Sequence, residues 1–262
     1  MSIQLRPYDP FADPVIQALV AEAQADPDVI GLVLTGSRAL GEATDESDYD
    51  VIFVVTDEAL ARYEQAGEHP RRGTTVTPPI DTADIWNDAP RDLRLGKQVD
   101  WMLPAYAESL VLYDRNGETA PVIDAMRWMP EEQAQAEAAA WYDGYLNGLY
   151  RSLKCWRRGN ELGGRLEAAG ALPCLLRTLF ALERRWCPYP SRLHRHLHHL
   201  EGQGWQPGEL RAFLLDITAT GDPRQQQQLA RRVGSLLRAR GFGHVYDGWN
   251  GQIDTALAWS FD

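Results

Sequence analysis

The deciding stretch of this sequence runs from Gly36-Ser37 through Ser47-Asp48-Tyr49-Asp50 into the apolar segment 51–55. Side chains two apart on a β-strand point to the same face, so Asp48 and Asp50 should converge while Tyr49 turns away. Carboxylate and phosphate oxygens are the ligands that Mg²⁺ prefers. The stretch therefore predicts a divalent metal site at the start of a strand.

The residues before this pair predict a turn that holds phosphate. Segment 29–35 is apolar and is typical of a buried strand. Gly36 permits a sharp turn close to an anion, where a Cβ would obstruct the approach. Ser37 offers a hydroxyl and a backbone N–H, and residues 38–41 could form one helical turn with free N–H groups. A triphosphate would complete the metal coordination, so nucleotide chemistry is the first hypothesis.

Taken together, 36–41 and 47–50 resemble the signature of the polymerase-beta-like nucleotidyltransferase superfamily. The pattern is similar to that of the aminoglycoside and kanamycin nucleotidyltransferase branch, whose members carry a C-terminal helical domain. The resemblance implies a nucleoside triphosphate substrate, with ATP favoured, and two Mg²⁺ ions held by Asp48 and Asp50. It also implies that the nucleotide is contacted by Gly36, Ser37, Arg38 and Ser47.

The family pattern implies a third carboxylate on a neighbouring strand, and three residues are candidates. Asp84 lies between Ala83 and Ile85, the apolar context that the family shows, and we favour it as a metal ligand and catalytic residue. Asp81 lies three residues from Asp84, so on a strand the two side chains point to opposite faces. Only one of them can therefore join Asp48 and Asp50. Asp100 has a similar apolar context and also stays open.

The reaction that the resemblance implies is transfer of a nucleoside monophosphate to a hydroxyl, with release of pyrophosphate. Metal ions would neutralise the charge that develops on the triphosphate. Asp84 would either ligate the metal nearer the acceptor or accept the hydroxyl proton as a general base. The sequence leaves these two roles open, and it does not identify the acceptor.

Charge is divided unevenly along the chain. Residues 1–127 contain 23 acidic and 10 basic side chains, a net charge of −13, whereas residues 128–262 contain 14 and 16, a net charge of +2. An acidic catalytic half is unsuited to long nucleic acid, whose phosphates require a basic track. It suits a small cationic acceptor such as an aminoglycoside, although ordinary solubility charge explains it equally well.

Length and hydropathy are those of a folded enzyme. The chain has 262 residues and 44% hydrophobic content, enough for a substantial core. No apolar run approaches the roughly 18 residues of a membrane span, and the first residues do not form a secretory signal. We therefore expect a cytoplasmic protein without membrane contact, and we leave its oligomeric state open.

The pattern of elements predicts two domains, an α/β (α+β) nucleotidyltransferase domain with a small mixed sheet over 1–127 and an all-α bundle over 128–262. In the first, Asp13 before Pro14 is typical of a helix cap and predicts a helix at 14–22. Further signals predict a helix at 57–65 and strands at 29–35, 50–56, 75–86 and 109–114. In the second, we expect helices at 130–159, 171–186, 191–201, 207–219, 223–240 and 250–259. Gly163-Gly164 is interpreted as a helix connection.

Two cations of the helical half are candidate phosphate ligands. Lys154 is one of only two lysines against 24 arginines, which suggests that it is present by requirement. Arg151 lies three residues earlier on the same helical face, and the pair could reach the β and γ phosphates. A solvated basic helix face is the alternative interpretation.

Three classes of function stay open. The first is nucleotidylation of a small hydroxylated molecule, favoured by the fused helical domain. The second is an AMPylating enzyme of toxin-antitoxin type that modifies a protein. The third is a non-catalytic nucleotide-binding protein, which the intact Gly36, Ser37, Asp48 and Asp50 argue against.

Overall fold

The computed structural model describes residues 8–44, 47–67, 92–95, 102–202 and 204–261. The chain divides into two compact units, Met1–Trp128 and Met129–Asp262. Each unit has its own cluster of buried side chains. Among the helices described, none combines the length and the apolar character needed to cross a membrane.

The first unit alternates helices with strands. The helix α1 begins at Pro14 because the Asp13 side chain accepts the backbone N–H groups of Val15 and Ile16. Thr56 caps a later helix in the same way. The elements in chain order are α1 (Pro14–Ala25), β1 (Val29–Leu34), α2 (Gly36–Ala39), β2 (Val51–Val55), α3 (Asp57–Ala66), β3 (Asp92–Arg94), α4 (Leu103–Tyr106), β4 (Leu110–Asp114) and α5 (Thr119–Met126).

The four strands form one mixed sheet in the order β3-β2-β1-β4. Strand β1 lies near its centre and pairs antiparallel with both β2 and β4. Strand β3 pairs parallel with β2, Leu93 opposite Val54. The end of β1 and the start of β2 are therefore neighbours, which brings Gly36 and Asp50 to the same edge of the sheet.

Both faces of the sheet are covered, which explains why β1 and β2 are buried along their whole length. On one face, Leu32 and Phe53 belong to the cluster that includes Leu19 of α1. On the other face, side chains of β1 and β2 line a small cavity together with residues of α4 and α5. A strand covered on both faces gives a continuous apolar run rather than an alternating one.

All the regular secondary structure described in the second unit is helical. Its elements are α6 (Glu131–Arg157), α7 (Glu161–Leu182), α8 (Leu193–Glu201), α9 (Glu209–Thr220), α10 (Pro223–Ala239), α11 (Gly243–Asp247) and α12 (Gln252–Leu257), with a short 3₁₀ turn at Pro190–Arg192. The core of this unit is built around α6 and α7, whose buried faces include Tyr142, Leu149 and Leu175.

The interpretation of Gly163-Gly164 as a helix connection is wrong. Both glycines lie inside α7, which begins ten residues earlier than expected because the Asn160 side chain accepts the backbone N–H of Gly163. Gly164 is needed for close packing, since a Cβ there would lie 2.6 Å from the Trp156 ring. The helix also ends at Leu182 instead of 186.

The predicted architecture, an α/β (α+β) domain with a small mixed sheet followed by a helical region, is confirmed. The expected strand at 75–86 lies outside the described residues. So do the three candidates for the third carboxylate, Asp81, Asp84 and Asp100, which remain predictions.

Candidate functional site

The turn at Gly36 is shaped by its contact with Asp50. Gly36 has φ +72°, a backbone conformation that residues with a Cβ rarely adopt. A Cβ at this position would lie 2.0 Å from Asp50 Oδ2. Glycine is therefore required twice, for its backbone angle and for the close approach of the carboxylate. The predicted phosphate turn and one predicted metal ligand are in direct contact.

The pair Asp48 and Asp50 shows the alternation that a metal site requires. Asp48 is exposed, Tyr49 is buried at 9% exposure, and Asp50 is intermediate. Exposure therefore alternates along this segment, as predicted for an extended backbone. The backbone is anchored at its end, where the Thr35 N–H donates to the Asp50 carbonyl at 2.8 Å.

Ser47 closes the loop that leads to these carboxylates. Its hydroxyl accepts the backbone N–H of Thr44 at 2.9 Å, and its own N–H donates to the Thr44 carbonyl at 3.1 Å. The predicted nucleotide contact from Ser47 stays a prediction. In the structure its hydroxyl stabilises the turn.

Arg38 extends from α2 to the same loop. Its Nε donates to the Asp48 carbonyl at 2.9 Å, and its Nη2 donates to the Ser47 carbonyl at 2.6 Å. Its Nη1 lies 3.5 Å from Asp13 Oδ2, and its side chain is only 11% exposed. The guanidinium therefore already binds groups of the chain itself. The geometry supports a structural role, and the predicted contact of Arg38 with the nucleotide stays a prediction.

Two tyrosines complete this arrangement. The hydroxyls of Tyr8 and Tyr49 both donate to Asp13 Oδ2 at 2.9 Å. Burial and the hydrogen bond to Asp13 raise the pKa of Tyr8 to about 12, and the same causes raise the pKa of Tyr49 further. Both phenols therefore stay protonated at neutral pH and remain donors to Asp13. Sequence reasoning identified Asp13 as a helix cap but missed its link to the loop, because that link is made by tertiary contacts.

The donor set of Asp48 and Asp50 fits Mg²⁺ in its chemistry. Both supply hard carboxylate oxygens, and the glycine beneath Asp50 leaves room that a Cβ would fill. Within the described residues, no cluster of three or more His, Cys, Asp or Glu side chains could hold a metal. The two aspartates alone would thus leave positions for phosphate oxygens, water or the expected third carboxylate.

The two candidate cations of the helical unit both lie on α6. Arg151 Nη2 pairs with Glu167 Oε1 at 2.6 Å, an ion pair within that unit. The Lys154 ammonium lies over the Tyr150 ring, 5.8 Å from its centroid. Their predicted contacts with the β and γ phosphates stay predictions.

A cavity of about 420 Å³ opens on the surface of the helical unit. Its lining includes Arg231, Arg238, Tyr246 and Asp254. Arg238 Nη2 pairs with Asp247 at 2.9 Å, and the Tyr246 hydroxyl donates to Asp254 at 2.6 Å. These polar side chains already have partners within the unit, so the cavity alone does not define a ligand.

Two segments of the chain match known protein families. Residues 16–98 match the model of a nucleotidyltransferase domain, and residues 100–192 match a domain of unknown function, DUF4037. A solved structure, the nucleotidyltransferase-like protein from Exiguobacterium sibiricum 255-15, is 12% identical over 93% of this chain and 77% of that chain, with a TM-score of 0.44. None of the curated proteins compared matches the chain.

Segment 16–98 is therefore similar to a nucleotidyltransferase domain, and the Gly36 turn and the two aspartates lie within it. The closer likeness to the aminoglycoside and kanamycin branch remains a prediction from the motif.

Proposed function

We propose that this protein is a Mg²⁺-dependent nucleotidyltransferase that moves a nucleoside monophosphate, AMP from ATP being the favoured case, to a hydroxyl of a small molecule. The observation that carries the proposal is the contact between the Gly36 turn and the Asp50 carboxylate, where a Cβ would lie 2.0 Å from Oδ2. A turn that holds phosphate and a carboxylate that holds a metal ion are in contact here. This arrangement fits a single ligand that contains both, namely a nucleoside triphosphate with its bound metal.

Each residue has a defined part in the proposed reaction. Asp48 and Asp50 bind the metal, and Gly36 and Ser37 lie against the triphosphate. Bound Mg²⁺ would neutralise the charge that develops on the phosphates. Asp84 is the proposed third carboxylate, either as a metal ligand or as the base that accepts the acceptor's proton.

The bond changes balance without any further reactant. The acceptor oxygen forms a bond to the α-phosphorus, and the bond from that phosphorus to the oxygen bridging the β-phosphorus breaks. Pyrophosphate leaves with the bonding electron pair, and the hydroxyl proton passes to a base. The protein contributes mainly by positioning and by electrostatic stabilisation.

The net charge of −13 over residues 1–127 supports a cationic hydroxylated acceptor, of which an aminoglycoside is one example. Acceptors that differ only in charge test this part of the proposal. We expect the protein to modify cationic compounds faster than neutral polyols of similar size. This difference in rate should shrink as salt is added.

The test is incubation with each radiolabelled nucleoside triphosphate, Mg²⁺ and a library of small acceptors, with pyrophosphate release as the measurement. Asp48→Asn should reduce turnover by at least about a hundredfold. Glu118→Gln is the matched control, because it also removes one negative charge from an exposed position of the same unit. Transfer of label to a protein would instead favour the AMPylating alternative.

The proposal fails on a defined result. If no nucleotide and acceptor pair supports turnover, and Asp48→Asn binds nucleotide with Mg²⁺ as well as the unsubstituted protein does, then the site is not a nucleotidyltransferase centre.

A further inference from the structure

We propose that Arg38 is a positioning residue, which holds the backbone of the metal-binding loop so that Asp48 and Asp50 present their carboxylates together. The inference rests on the proposed function, since it assigns Arg38 a role toward the proposed metal ligands. Arg38 would act through the loop without touching the metal or the nucleotide.

The contacts of the guanidinium support this role. Two of its nitrogens bind two successive carbonyl groups, those of Ser47 and Asp48, at 2.6 and 2.9 Å. Bonds to successive carbonyls restrain the two peptide planes on either side of the Asp48 Cα, and the orientation of those planes sets the direction of the Asp48 side chain. A charged donor makes each of these bonds stronger than a neutral one would.

The position of the guanidinium is itself restrained. Its carbon lies 3.7 Å from the centroid of the Tyr49 ring and 5.2 Å from that of the Tyr8 ring. Cation–π attraction is strengthened where the cation is withdrawn from water, and the Arg38 side chain is 11% exposed. Tyr49 lies between the two aspartates, so its contact with Arg38 fixes the segment from its buried side.

Asp13 connects this arrangement to the rest of the unit. Its Oδ1 caps α1 by accepting the Val15 N–H at 2.8 Å, while its Oδ2 accepts both tyrosine hydroxyls and lies near Arg38. The loop is thereby attached to a helix whose side chains belong to the sheet core. Lysine could not replace Arg38, because one ammonium cannot span two carbonyls and stack on a ring.

The test compares Arg38→Lys with Arg62→Lys. Arg62 is a matched control, since it pairs with Asp28 and lies 5.9 Å from the centroid of the Tyr63 ring, on α3. In the full chain, Mn²⁺ affinity is measured by electron paramagnetic resonance with a non-hydrolysable nucleoside triphosphate. Arg38→Lys should weaken Mn²⁺ binding roughly 10- to 100-fold. Arg62→Lys should leave it unchanged.

Hydrogen exchange provides a readout that does not depend on metal. Without ligand, Arg38→Lys should speed amide exchange in 47–55 while protection in 110–126 is unchanged. Tyr49→Phe keeps the ring and removes one hydroxyl, and it should weaken Mn²⁺ binding about two- to tenfold.

Each outcome decides a separate question. Unchanged exchange in 47–55, or Mn²⁺ affinity equal to that of the unsubstituted protein, would overturn the role of Arg38. If the unsubstituted protein binds Mn²⁺ no better than Asp48→Asn does, the proposed function is contradicted, and exchange alone then decides whether Arg38 holds the loop.

Discussion

At the scale of single residues, Gly36 and Gly41 differ in a way that isolates the contact with Asp50. Both have positive φ, +72° and +70°. A Cβ on Gly36 would meet Asp50 Oδ2 at 2.0 Å, whereas among the described residues a Cβ on Gly41 would meet only the Tyr8 carbonyl oxygen, at 3.9 Å. The two positions therefore share the cost of the backbone conformation but not the clash.

We predict that Gly36→Ala lowers the free energy of unfolding more than Gly41→Ala does. Gly41→Ala should cost about 1–2 kcal/mol, the cost of a left-handed conformation for a residue with a Cβ. Gly36→Ala should cost at least about 1 kcal/mol more, because the Asp50 carboxylate must move. Urea unfolding of both variants measures the difference, and equal values would show that the contact with Asp50 is not restrictive.

At the scale of elements, Asp114 attaches helix α5 to the end of strand β4. Its two carboxylate oxygens accept the N–H groups of Thr119 and Ala120 at 3.2 and 3.0 Å. Burial of the carboxylate acts to raise its pKa, but the hydrogen bonds from these backbone groups outweigh that effect, so the pKa of Asp114 lies below its ordinary value.

We predict that Asp114→Asn lowers the free energy of unfolding by about 1 kcal/mol at pH 7. A lowered pKa in the folded state stabilises the protein above the unfolded pKa of about 3.9, and this contribution disappears as pH falls through the folded pKa. The difference between the two proteins should therefore shrink below about pH 4. Denaturant unfolding of both proteins, from neutral pH down to below about pH 4, measures this difference in free energy.

The control for Asp114 is Asp124→Asn, a substitution within helix α5 itself. Asp124 is 70% exposed and pairs with Arg127 at 2.9 Å. An exposed ion pair of this kind contributes little to the free energy of unfolding. Its loss should therefore change that free energy by less than about 0.5 kcal/mol. Equal effects of the two substitutions would mean that Asp114 does not cap α5.

Helices α6 and α7 approach closely where small residues face each other. A Cβ on Gly148 would lie 2.8 Å from the Ala171 Cβ, so the two helices leave no space for it. Gly170 of α7 is also helical, but in the part of the chain that the structure describes no neighbouring atom lies within 4 Å of the place where its Cβ would be. The same substitution should therefore have opposite effects at these two positions.

We predict that Gly148→Ala destabilises the protein by about 1–3 kcal/mol through overpacking. Gly170→Ala should stabilise it by about 0.4–1 kcal/mol, because alanine restricts the unfolded chain without a clash in the folded state. Thermal unfolding of both variants is the measurement. A stabilising Gly148→Ala would show that the helices separate without loss of packing.

At the scale of the whole molecule, the two units have separate cores. The buried cluster around α1 and the sheet lies within 15–60, and the cluster of the helical unit lies within 129–257. A unit with its own core can fold alone.

We predict that residues 129–262, expressed alone, give a helical circular dichroism spectrum and unfold in one cooperative thermal transition. The physical reason is that its core side chains, such as Leu149, Leu175 and Val233, pack against one another. A broad, non-cooperative transition would contradict this prediction and would show that the unit needs residues 1–128 to fold.

Much of the fold could be predicted because the signals were local. The cap at Asp13 and the apolar runs of β1 and β2 indicated elements that the structure places within three residues of the expected bounds. The error at Gly163-Gly164 has a tertiary cause, since a glycine that breaks an isolated helix is favoured where another helix approaches closely. Propensity alone carries no information about that neighbour.

The sequence by itself determined the turn at Gly36, the alternation of exposure along 48–50, and the change from mixed to helical structure. Each of these features depends on backbone periodicity or on the chemistry of neighbouring residues. Only the tertiary structure decided that Asp50 lies against Gly36 and that Arg38 binds the loop. Those contacts follow from the antiparallel pairing of β1 with β2, which brings together residues that are distant in the chain.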